Sequence, residues 1–271
     1  MTRLSTENMS SINQRLPQLE EAYRAITGKS LLEITHFAAG TEYVPLAVRQ
    51  KASVAVVPIT AGEGLIGDFS ETVALILREF ADVQAFVTEA TDVAGLNEAI
   101  VRDADLVFMA DDDVCLCRNL RTGATSDNGF ATGRGFAALL YLSALHAHQP
   151  LDSEVLVLGA GKVGAGAYHF FRDRQIAVRW YDLKESTPFD MSSALLAKNW
   201  QGQAWKYIID ATTCPTFIDA PQVCAGGTIA APGIPFGVTQ AAVQKAGLVI
   251  HDELETGVMS MFCEVTQHGG I

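Results

Sequence analysis

The chain of 271 residues is long enough for two α/β lobes, and with 49% hydrophobic residues it is too apolar to be disordered. Its formal net charge of −12 argues against a nucleic-acid partner or an anionic membrane surface. No apolar run approaches the roughly 20 residues of a membrane-spanning helix, and no signal-peptide pattern follows Met1. We therefore expect a cytoplasmic protein that binds neither nucleic acid nor membrane.

The five cysteines indicate free thiols, because their number is odd and the chain has no secretion signal. Cys115 and Cys117 are two residues apart, but the sequence offers no second ligand pair at zinc-finger spacing. His146 and His148 point to different faces of a predicted helix. We therefore expect no metal site.

The first 50 residues are predicted to be helical. Apolar side chains recur every three or four residues, which is typical of a helix packed on a core: Met9, Ile12, Leu16, Leu19, Tyr23 and Ile26. Ser5 is the predicted N-cap and Gly28 the predicted C-cap. Pro17 is expected to kink or split this helix, because it lacks a backbone N–H and clashes with the preceding turn.

Strands and helices alternate from residue 51 onward. The predicted elements are strands at 54–59, 83–87 and 106–109 and helices near 71–80 and 92–102. This alternation predicts a small parallel α/β lobe over residues 51–133. A linking helix is predicted at 134–149, where Pro150 follows it.

The alternation resumes after this linking helix. The predicted strands lie near 155–158, 176–181, 206–210, 227–231 and 248–250, with a last helix at the C-terminal end. The predicted fold class is therefore α/β, with a C-terminal Rossmann-type parallel sheet preceded by an N-terminal helical segment and a smaller parallel α/β lobe. We expect the boundary between the two domains to separate residues 1–149 from residues 150–271.

Ligands of parallel α/β folds gather outside the carboxyl ends of the strands. The first predicted strand ends in a loop at 58–71, which contains Ile59, Thr60, Ser70 and several glycines. Such a loop fits a clamp around a small polar group. It is equally typical of an ordinary loop in which Asp68 or Ser70 caps the next helix.

Three consecutive acids, Asp111, Asp112 and Asp113, follow Ala110 at the end of the third predicted strand. Their mutual repulsion means that at least one should be partnered or have a raised pKa. No histidine is adjacent and no phosphate-binding motif accompanies them, so a cationic amine fits better than a divalent metal. Asp111 is the strongest candidate, since Asp113 and even Asp112 are also consistent with a solvated surface.

Two further segments are predicted to cover the ligand. Residues 118–132 are expected to form a long loop between the lobes, of the kind that often closes on a ligand. Asn128 and Gly129 within it are also typical of a turn, so a purely structural role competes with binding. Residues 255–261 are expected to open the last helix and to close the back of the site.

The segment from residue 155 to 164 is the most informative part of the sequence. An apolar strand leads directly into G-x-G-x-x-G and a helix, with glycines at Gly159, Gly161 and Gly164. The first glycine permits a tight turn, the second leaves room for a pyrophosphate, and the third lets the helix pack closely on the sheet. Lys162 and Val163 open that helix, whose unpaired N–H groups attract phosphate.

Asp182 ends the second strand of this lobe and predicts the cofactor. A carboxylate there accepts hydrogen bonds from the ribose hydroxyls of NAD and repels the 2′-phosphate of NADP. Lys184 lies two residues on, but one lysine does not reverse this preference. The sequence therefore predicts NAD, and the structural-turn alternative is disfavoured because strand, helix and acid all have the right spacing.

Two more loops are predicted to line the same crevice, after the strands at 206–210 and 227–231. The candidate cofactor-binding residues in these loops are Ala211, Thr212, Cys214, Pro232 and Gly233. Loops at this position commonly contact the nicotinamide half of the cofactor. Their alternative role is that of simple turns.

These segments together resemble the pyrrolysine synthase family. The motifs that carry the resemblance are V-P-I-T-A-G-E-G-L-I-G-D-F-S-E-T at 57–72, M-A-D-D at 109–112, V-L-V-L-G-A-G-K-V-G at 155–164 and A-P-G-I-P at 231–235. The first two are not general Rossmann features, and the similarity spans nearly the whole chain. It implies a substrate-binding part at 1–149 and an NAD-binding part at 150–271.

The resemblance also implies a set of substrate contacts. Asp111 matches the first acid of the family's A-D-D motif, and Asn128 matches the asparagine of the interlobe loop. The substrate-binding residues expected on this basis are Leu4, Ser5, Ile59, Thr60, Ser70, Ala110, Asp111 and Asn128. Leu4 and Ser5 fall where the family's N-terminus approaches the substrate.

The reaction implied by the resemblance is an NAD-dependent oxidation of a lysine isopeptide of 3-methyl-D-ornithine. The terminal amine of the ornithine moiety is oxidised and lost as ammonia, and the α-amine then closes the pyrroline ring. Asp111 is expected to hold the ammonium, to act as base and to stabilise the iminium. Excluding water would protect the aldehyde and the imine.

Two other functions remain open at this point. One is a two-domain NAD-dependent dehydrogenase of a small amino or hydroxy acid, of the amino-acid or shikimate type. Such enzymes usually rely on a lysine–aspartate pair, and the first lobe has no lysine from residue 52 onward. The other is a non-catalytic NAD sensor, which the acids around Asp111 disfavour. A homodimer is an assembly that the sequence allows.

Overall fold

Parallel strands followed by helices organise both halves of the chain in the computed structural model. The structure describes residues 6–43, 51–65, 67–149, 151–184, 186–191, 194–252 and 254–266. Leu4 and Ser5 therefore lie outside the described residues. The chain divides into two units: unit 1 is Met1–Arg24, Ser30–Ala131 and Leu254–Ile271, and unit 2 is Ala25–Lys29 and Thr132–Glu253.

Unit 1 combines helices with a five-stranded sheet. Its elements are α1 (Thr6–Thr27, which ends in unit 2), α2 (Leu31–Ala39), β1 (Ser53–Pro58), α3 (Phe69–Ala81), β2 (Gln84–Val87), α4 (Asp92–Val101), β3 (Leu106–Ala110), β4 (Cys115–Asn119), β5 (Thr125–Asp127) and α8 (Glu255–Thr266). The strand order is β2-β1-β3-β4-β5. Strands β1, β2 and β3 are parallel, as the sequence predicts. Strands β4 and β5 add an antiparallel extension that the sequence pattern did not reveal.

The core of unit 1 explains why these segments form strands. Every residue from Val54 to Val57 is buried, because the strand carries helices and loops on both faces. Val57 and Val107 pack with Ala55, Ala99 and Ala104 in one cluster. The α3 helix buries its apolar stripe, while Glu71 in its first turn and Arg78 in its last turn complement the helix dipole.

Helix α1 runs through Pro17 without being split. The expectation that Pro17 splits this helix is therefore wrong, and tertiary packing supplies the reason. Leu16 and Tyr23, on either side of the proline, are almost fully buried and fix the helix on its core. Gly28 has a φ of 72°, as expected of the residue that ends this helix.

The last helix, α8, belongs to unit 1 although it follows unit 2 in sequence. Its buried polar groups form hydrogen bonds with helices and strands of unit 1. One example is the Thr256 hydroxyl, which lies 3.4 Å from the Tyr23 hydroxyl of α1. The Asn119 side chain donates to the carbonyl of Val265 at 3.0 Å. The units therefore differ from the predicted domains, because α8 joins the first unit and the linking helix joins the second.

Unit 2 is built on a six-stranded parallel sheet. Its elements are α5 (Asn128–His146, which begins in unit 1), β6 (Val155–Leu158), α6 (Lys162–Arg172), β7 (Val178–Tyr181), β8 (Leu195–Leu196), β9 (Trp205–Asp210), β10 (Val223–Ala230), α7 (Gln240–Lys245) and β11 (Leu248–Ile250). The strand order is β11-β10-β9-β6-β7-β8. Numbered within the unit, this order is 6-5-4-1-2-3, the doubly wound order of Rossmann folds. The predicted fold class is confirmed.

Close backbone contacts fix the helices of unit 2 on one another and on the sheet. Gly133 lies in α5, and a Cβ at this position would overlap the carbonyl of Val163 in α6. The core beneath is formed by large side chains such as Trp200 and Tyr207, which are buried.

Among the residues that the structure describes, no helix is long and apolar enough to cross a membrane.

Candidate functional site

The carboxyl ends of β1 and β3 meet at one edge of the unit 1 sheet. Pro58 pairs with Ala110 in the parallel ladder, so the two chains leave the sheet side by side. This register places Ile59 and Thr60 next to Ala110 and Asp111. Four of the predicted substrate-binding residues therefore lie at the carboxyl ends of two strands that are neighbours in the sheet but not consecutive in sequence.

Asp111 uses one of its carboxylate oxygens to shape the turn between β3 and β4. Its Oδ1 accepts hydrogen bonds from the backbone N–H groups of Asp113, at 2.9 Å, and Val114, at 2.7 Å. Within the described part of the chain, Oδ2 accepts no hydrogen bond, and the residue is exposed. One oxygen of Asp111 is thus structural, and the other is available to a cationic ligand.

Asp112 ties the glycine-containing loop after β1 to the same turn. Its Oδ2 accepts a hydrogen bond from the Glu63 backbone N–H at 2.6 Å. A Cβ at Gly62 would overlap this carboxylate, and the φ of Gly62 is 74°, so both contact and conformation require glycine. The prediction that at least one acid of this run is partnered is confirmed.

Thr60 is fixed by a residue that the sequence marked only as the start of a helix. Asp92 opens α4, and its two oxygens accept the Thr60 backbone N–H at 2.8 Å and the Thr60 hydroxyl at 2.7 Å. These hydrogen bonds lower the pKa of Asp92. Because the hydroxyl proton is committed to Asp92, Thr60 can offer only oxygen lone pairs to a ligand.

Ser70 lies in the first turn of α3 and is half-buried. The N-cap position is held by Asp68, with a φ of 62°, but its side chain makes no capping hydrogen bond. Ser70 is therefore not the cap, and Asp68 occupies the position without the usual bond. The predicted binding role of Ser70 stays a prediction.

Residues 118–132 do not form the long loop that the sequence suggested. They form the end of β4, a short turn, β5 and the start of α5. Asn119 causes the tight turn, because its buried side chain accepts hydrogen bonds from the backbone N–H groups of Arg121 and Thr122, both at 2.9 Å. The expectation of a loop that closes on the ligand is wrong.

Asn128 reaches the same sheet edge as Asp111 through the antiparallel strands. Ala110 pairs with Cys115 across β3 and β4, and Leu116 pairs with Asp127 across β4 and β5. Asn128 follows directly and opens α5. The expected Asn-Gly turn is a helix start instead, where Asp127 accepts the Gly129 backbone N–H at 2.9 Å.

The glycine-rich loop of unit 2 has the geometry that the motif predicts. Gly159 has a φ of 92°, and a Cβ there would lie 2.5 Å from the carbonyl oxygen of Ala211. A Cβ at Gly164 would overlap the carbonyl of Gly159, so α6 packs directly on the loop. A Cβ at Gly161 would instead point into open space. These residues fit a pyrophosphate held against bare backbone at the start of α6.

Asp182 follows β7 and faces this loop. Its Oδ2 accepts the Ala160 backbone N–H at 2.8 Å, and its Oδ1 accepts the Lys184 backbone N–H at 2.9 Å. Both oxygens keep lone pairs that can accept from ribose hydroxyls. Lys162 is exposed and Val163 half-buried in the first turn of α6, next to the open side of Gly161.

The loops after β9 and β10 lie beside the glycine-rich loop, as predicted. Ala211 donates its backbone N–H to the Leu158 carbonyl at 2.8 Å. A Cβ at Gly233 would overlap the carbonyl of Thr212, so the two loops are in contact. Pro232 is half-buried and Cys214 is an exposed free thiol in this arrangement.

Asp210 is a buried acid at this edge that sequence reasoning passed over. Its side chain is inaccessible to solvent, and its Oδ1 accepts the Thr212 hydroxyl at 2.8 Å and the Thr212 backbone N–H at 3.1 Å. By distance and angle, its Oδ2 accepts no hydrogen bond from the residues that the structure describes. Burial raises the pKa of Asp210 to about 6, although the Thr212 bonds and the nearby Gly237 N–H oppose this shift. The sequence signal that could have identified Asp210 is an acidic residue at the end of an otherwise apolar strand.

The cysteines are all free, which confirms the sequence prediction. Burial raises the pKa of Cys115 to about 12 and that of Cys117 well above its usual value, so neither is a reactive thiolate. Across the residues that can be described, no group of three or more His, Cys, Asp or Glu side chains is arranged to hold a metal ion.

The fold and these residues define a two-unit α/β protein whose second unit is of the Rossmann type. The family model described as "Pyrrolysine biosynthesis protein PylD, N-terminal domain" matches residues 2–126. The pyrrolysine synthase of Methanosarcina acetivorans is 30% identical over 272 residues, covering 98% of this chain and 100% of the relative. That of Methanosarcina barkeri is 29% identical and covers 98% of both chains. The chain belongs to the pyrrolysine synthase family.

Solved structures with a similar course of the chain include two shikimate dehydrogenases. The enzyme from Thermus thermophilus, in complex with NADP(H) and shikimate, is 15% identical with a TM-score of 0.49, covering 80% of this chain and 93% of that one. The enzyme from Aquifex aeolicus is 12% identical with a TM-score of 0.49, covering 84% and 96%. Structural similarity of this degree gives no information about the activity of this chain.

Proposed function

We propose that the protein is an NAD-dependent pyrrolysine synthase, which oxidises the terminal amine of the 3-methyl-D-ornithine moiety of a lysine isopeptide. The observation that carries this proposal is the match of two pyrrolysine synthases to 98% of the chain. A match of this length includes both the Asp111 edge of unit 1 and the glycine-rich loop of unit 2.

The choice of NAD is supported by the loop around Gly161 and by Asp182. The loop leaves backbone N–H groups and open space for a pyrophosphate. The half-buried Asp182 carboxylate accepts from ribose hydroxyls and disfavours a 2′-phosphate by charge repulsion. Bound NAD would supply a hydride acceptor, which the side chains of this protein cannot replace.

The choice of an amine substrate is supported by the oxygens at the unit 1 edge. Asp111 offers Oδ2, and Thr60 offers lone pairs because its proton is held by Asp92. An alkylammonium group presents only donors, so it is complementary to such an edge. A carboxylate or a phosphate would instead meet oxygens of the same charge or polarity.

The chemistry asked of this edge is proton transfer and charge stabilisation. In the ammonium form, the substrate nitrogen would lose one proton to Asp111, and bound NAD would supply the acceptor for the hydride that the neighbouring carbon gives up. The product is an iminium, whose positive charge the Asp111 carboxylate stabilises when it is ionised again. Water then adds to the iminium carbon and the nitrogen leaves as ammonia, which gives an aldehyde.

Ring closure completes the proposed reaction and needs little from the protein. The neighbouring α-amine attacks the aldehyde and loses one water, which forms the C=N bond of the pyrroline. The residues near Asn128 and Thr60 would hold the substrate so that amine and aldehyde remain close.

The experiment that tests the proposal is an assay with NAD and the lysine–methylornithine isopeptide. The absorbance of the reduced cofactor should rise, ammonia should appear in equal amount, and mass spectrometry should find the cyclic imine. A small-acid dehydrogenase would reduce NAD only with an amino or hydroxy acid. An NAD-binding protein that turns over none of these substrates would contradict the proposal.

A further inference from the structure

The carboxyl group of Asp210 contributes little to the stability of unit 2. It is removed from solvent, and one of its oxygens accepts no hydrogen bond from the part of the chain that the structure describes. Burying an acid in this way is unfavourable whether it is ionised or neutral. An apolar or neutral side chain would fill this space equally well. The reason for an acid at this position therefore lies in the residue that its hydrogen bonds orient.

The residue that Asp210 orients is Thr212. Asp210 accepts both the backbone N–H and the hydroxyl proton of Thr212. The Cys214 backbone N–H donates to the same hydroxyl oxygen at 3.2 Å. A hydroxyl has one proton and two lone pairs, so one lone pair of Thr212 remains, in a fixed direction. Thr212 is only half-buried, so part of this residue is open to a ligand.

Asp210 also contacts the neighbouring loop. Its backbone carbonyl accepts the Gly233 N–H at 2.9 Å. A Cβ at Gly237 would overlap its carboxylate, so the chain after β10 passes directly over the side chain. One residue therefore connects the two loops that lie next to the glycine-rich loop.

We propose that Asp210 is a positioning residue, which fixes the Thr212 hydroxyl as an acceptor for a hydrogen-bond donor on the nicotinamide–ribose half of the cofactor. The inference rests on the NAD site of the proposed function and deepens it. The donor is either a ribose hydroxyl or the carboxamide N–H, since both present a proton to a neutral oxygen.

A double-mutant cycle on the dissociation constant of NAD, measured by titration calorimetry, tests this proposal without requiring turnover. Asp210→Ala and Thr212→Val should each weaken NAD binding roughly tenfold, the order of one hydrogen bond. The double variant should be no weaker than either single variant, because Asp210 acts through Thr212. The melting temperature of Asp210→Ala should be at or above that of the wild type.

A conservative replacement and a truncated ligand sharpen the result. Asp210→Asn keeps an acceptor for Thr212 and should restore most of the affinity. ADP-ribose retains the ribose hydroxyls and lacks the nicotinamide. An Asp210→Ala effect that persists with ADP-ribose identifies a ribose hydroxyl as the donor, and one that is confined to NAD identifies the carboxamide; both support the proposal.

Other results overturn it. Additive losses in the cycle, or a lower melting temperature with unchanged NAD affinity, would make Asp210 a structural residue only. If Asp210→Ala does not fold, Thr212→Val alone decides, since unchanged affinity in that variant removes the proposed acceptor. A wild type that does not bind NAD refutes the cofactor assignment itself. A loss seen in Asp182→Ala but in neither Asp210→Ala nor Thr212→Val refutes only the role of Asp210.

Discussion

Asp111 and Asp210 occupy equivalent places, each at the carboxyl end of a parallel strand, and yet they have opposite surroundings. Asp111 is exposed and accepts two backbone N–H groups on one oxygen, while its other oxygen accepts no hydrogen bond from the described residues. Asp210 is buried, bonds to a threonine and has a raised pKa. The position in the fold is thus shared, whereas burial distinguishes the acid that we propose meets a substrate from the acid that we propose orients a neighbour.

The strongest test of this difference is Asp111→Asn. The amide oxygen can still accept the N–H groups of Asp113 and Val114, so fold and NAD affinity should be unchanged. Turnover should fall by about 10²–10⁴-fold, as is typical when a general base is removed. Steady-state kinetics with the isopeptide measure this loss. Asp113→Asn, which alters an exposed acid in the same turn, should behave like the wild type.

Wild-type turnover in a folded Asp111→Asn protein would contradict the role of Asp111. The comparison would then move to Asp112, whose carboxylate also lies at this edge but already accepts the Glu63 N–H.

A second prediction concerns the pH dependence of stability at Asp210. Its pKa rises from 3.8 to about 6 on folding, so the folded state binds the proton more tightly than the unfolded state. Below pH 3.8 both states bind this proton. As the pH rises from 3.8 to about 6, the free energy of unfolding should fall by at most about 3 kcal/mol, because only the unfolded state releases the proton readily. Asp210→Asn cannot titrate and avoids this loss. The melting temperature of the variant, relative to that of the wild type, should therefore increase from pH 3.8 to about 6 and stay constant above that pH.

The matched control for this experiment is Asp219→Asn. Hydrogen bonds with Thr239 lower the pKa of Asp219, so its contribution is lost as the pH falls. The two variants should therefore shift the melting temperature with opposite pH trends. If the difference in melting temperature between Asp210→Asn and the wild type is the same at every pH, Asp210 does not titrate in this range.

A third prediction uses Asp182 to test the cofactor preference. Wild-type enzyme should prefer NAD clearly over NADP. Asp182→Ala removes the ribose acceptor, so the KM for NAD should rise roughly tenfold and the preference should narrow. Initial rates with both cofactors measure the change, and Lys184→Ala should leave the KM for NAD unaltered. Equal use of both cofactors by the wild type would refute the ribose assignment.

The smallest expected effect is that of deleting residues 1–5, which include Leu4 and Ser5. The resemblance to the family implies that this segment approaches the substrate, so its loss should injure substrate binding more than folding. The KM for the isopeptide should rise several-fold and turnover should fall, because water reaches the imine more easily. NAD affinity and melting temperature should remain unchanged.

A shorter deletion of residues 1–3 serves as the control for this experiment, since it keeps Leu4 and Ser5. It should have wild-type kinetics. If the longer deletion does too, the segment is dispensable, as chain ends usually are.

The sequence predicted the features that depend on neighbours in the chain. The glycine-rich loop, Asp182 and the strand at 155–158 are local patterns, and the structure has them where the pattern placed them. Three features escaped because they depend on contacts between distant residues. The bonds from Thr60 to Asp92 join residues 32 positions apart, and Asn119, which shapes the turn between β4 and β5, is buried and donates to the carbonyl of the distant Val265.

The membership of α8 in unit 1 is the third of these features and has a consequence for biosynthesis. A ribosome releases the chain from its N-terminal end, so unit 1 lacks the buried helix α8 until all of unit 2 has been made. Unit 2 is continuous from Thr132 to Glu253 apart from a short segment, and it can complete its sheet earlier.

A fragment that ends near residue 126, where the family model ends, would leave the partners of α8 uncovered. In α8, the side chains of Val258, Met259, Met261 and Phe262 are almost completely buried, and so are the groups they cover in unit 1. Such a fragment should aggregate when expressed alone and should become soluble when a segment carrying α8 is fused to its C-terminal end. The order of synthesis thus makes the last helix the closing step in the assembly of the first unit.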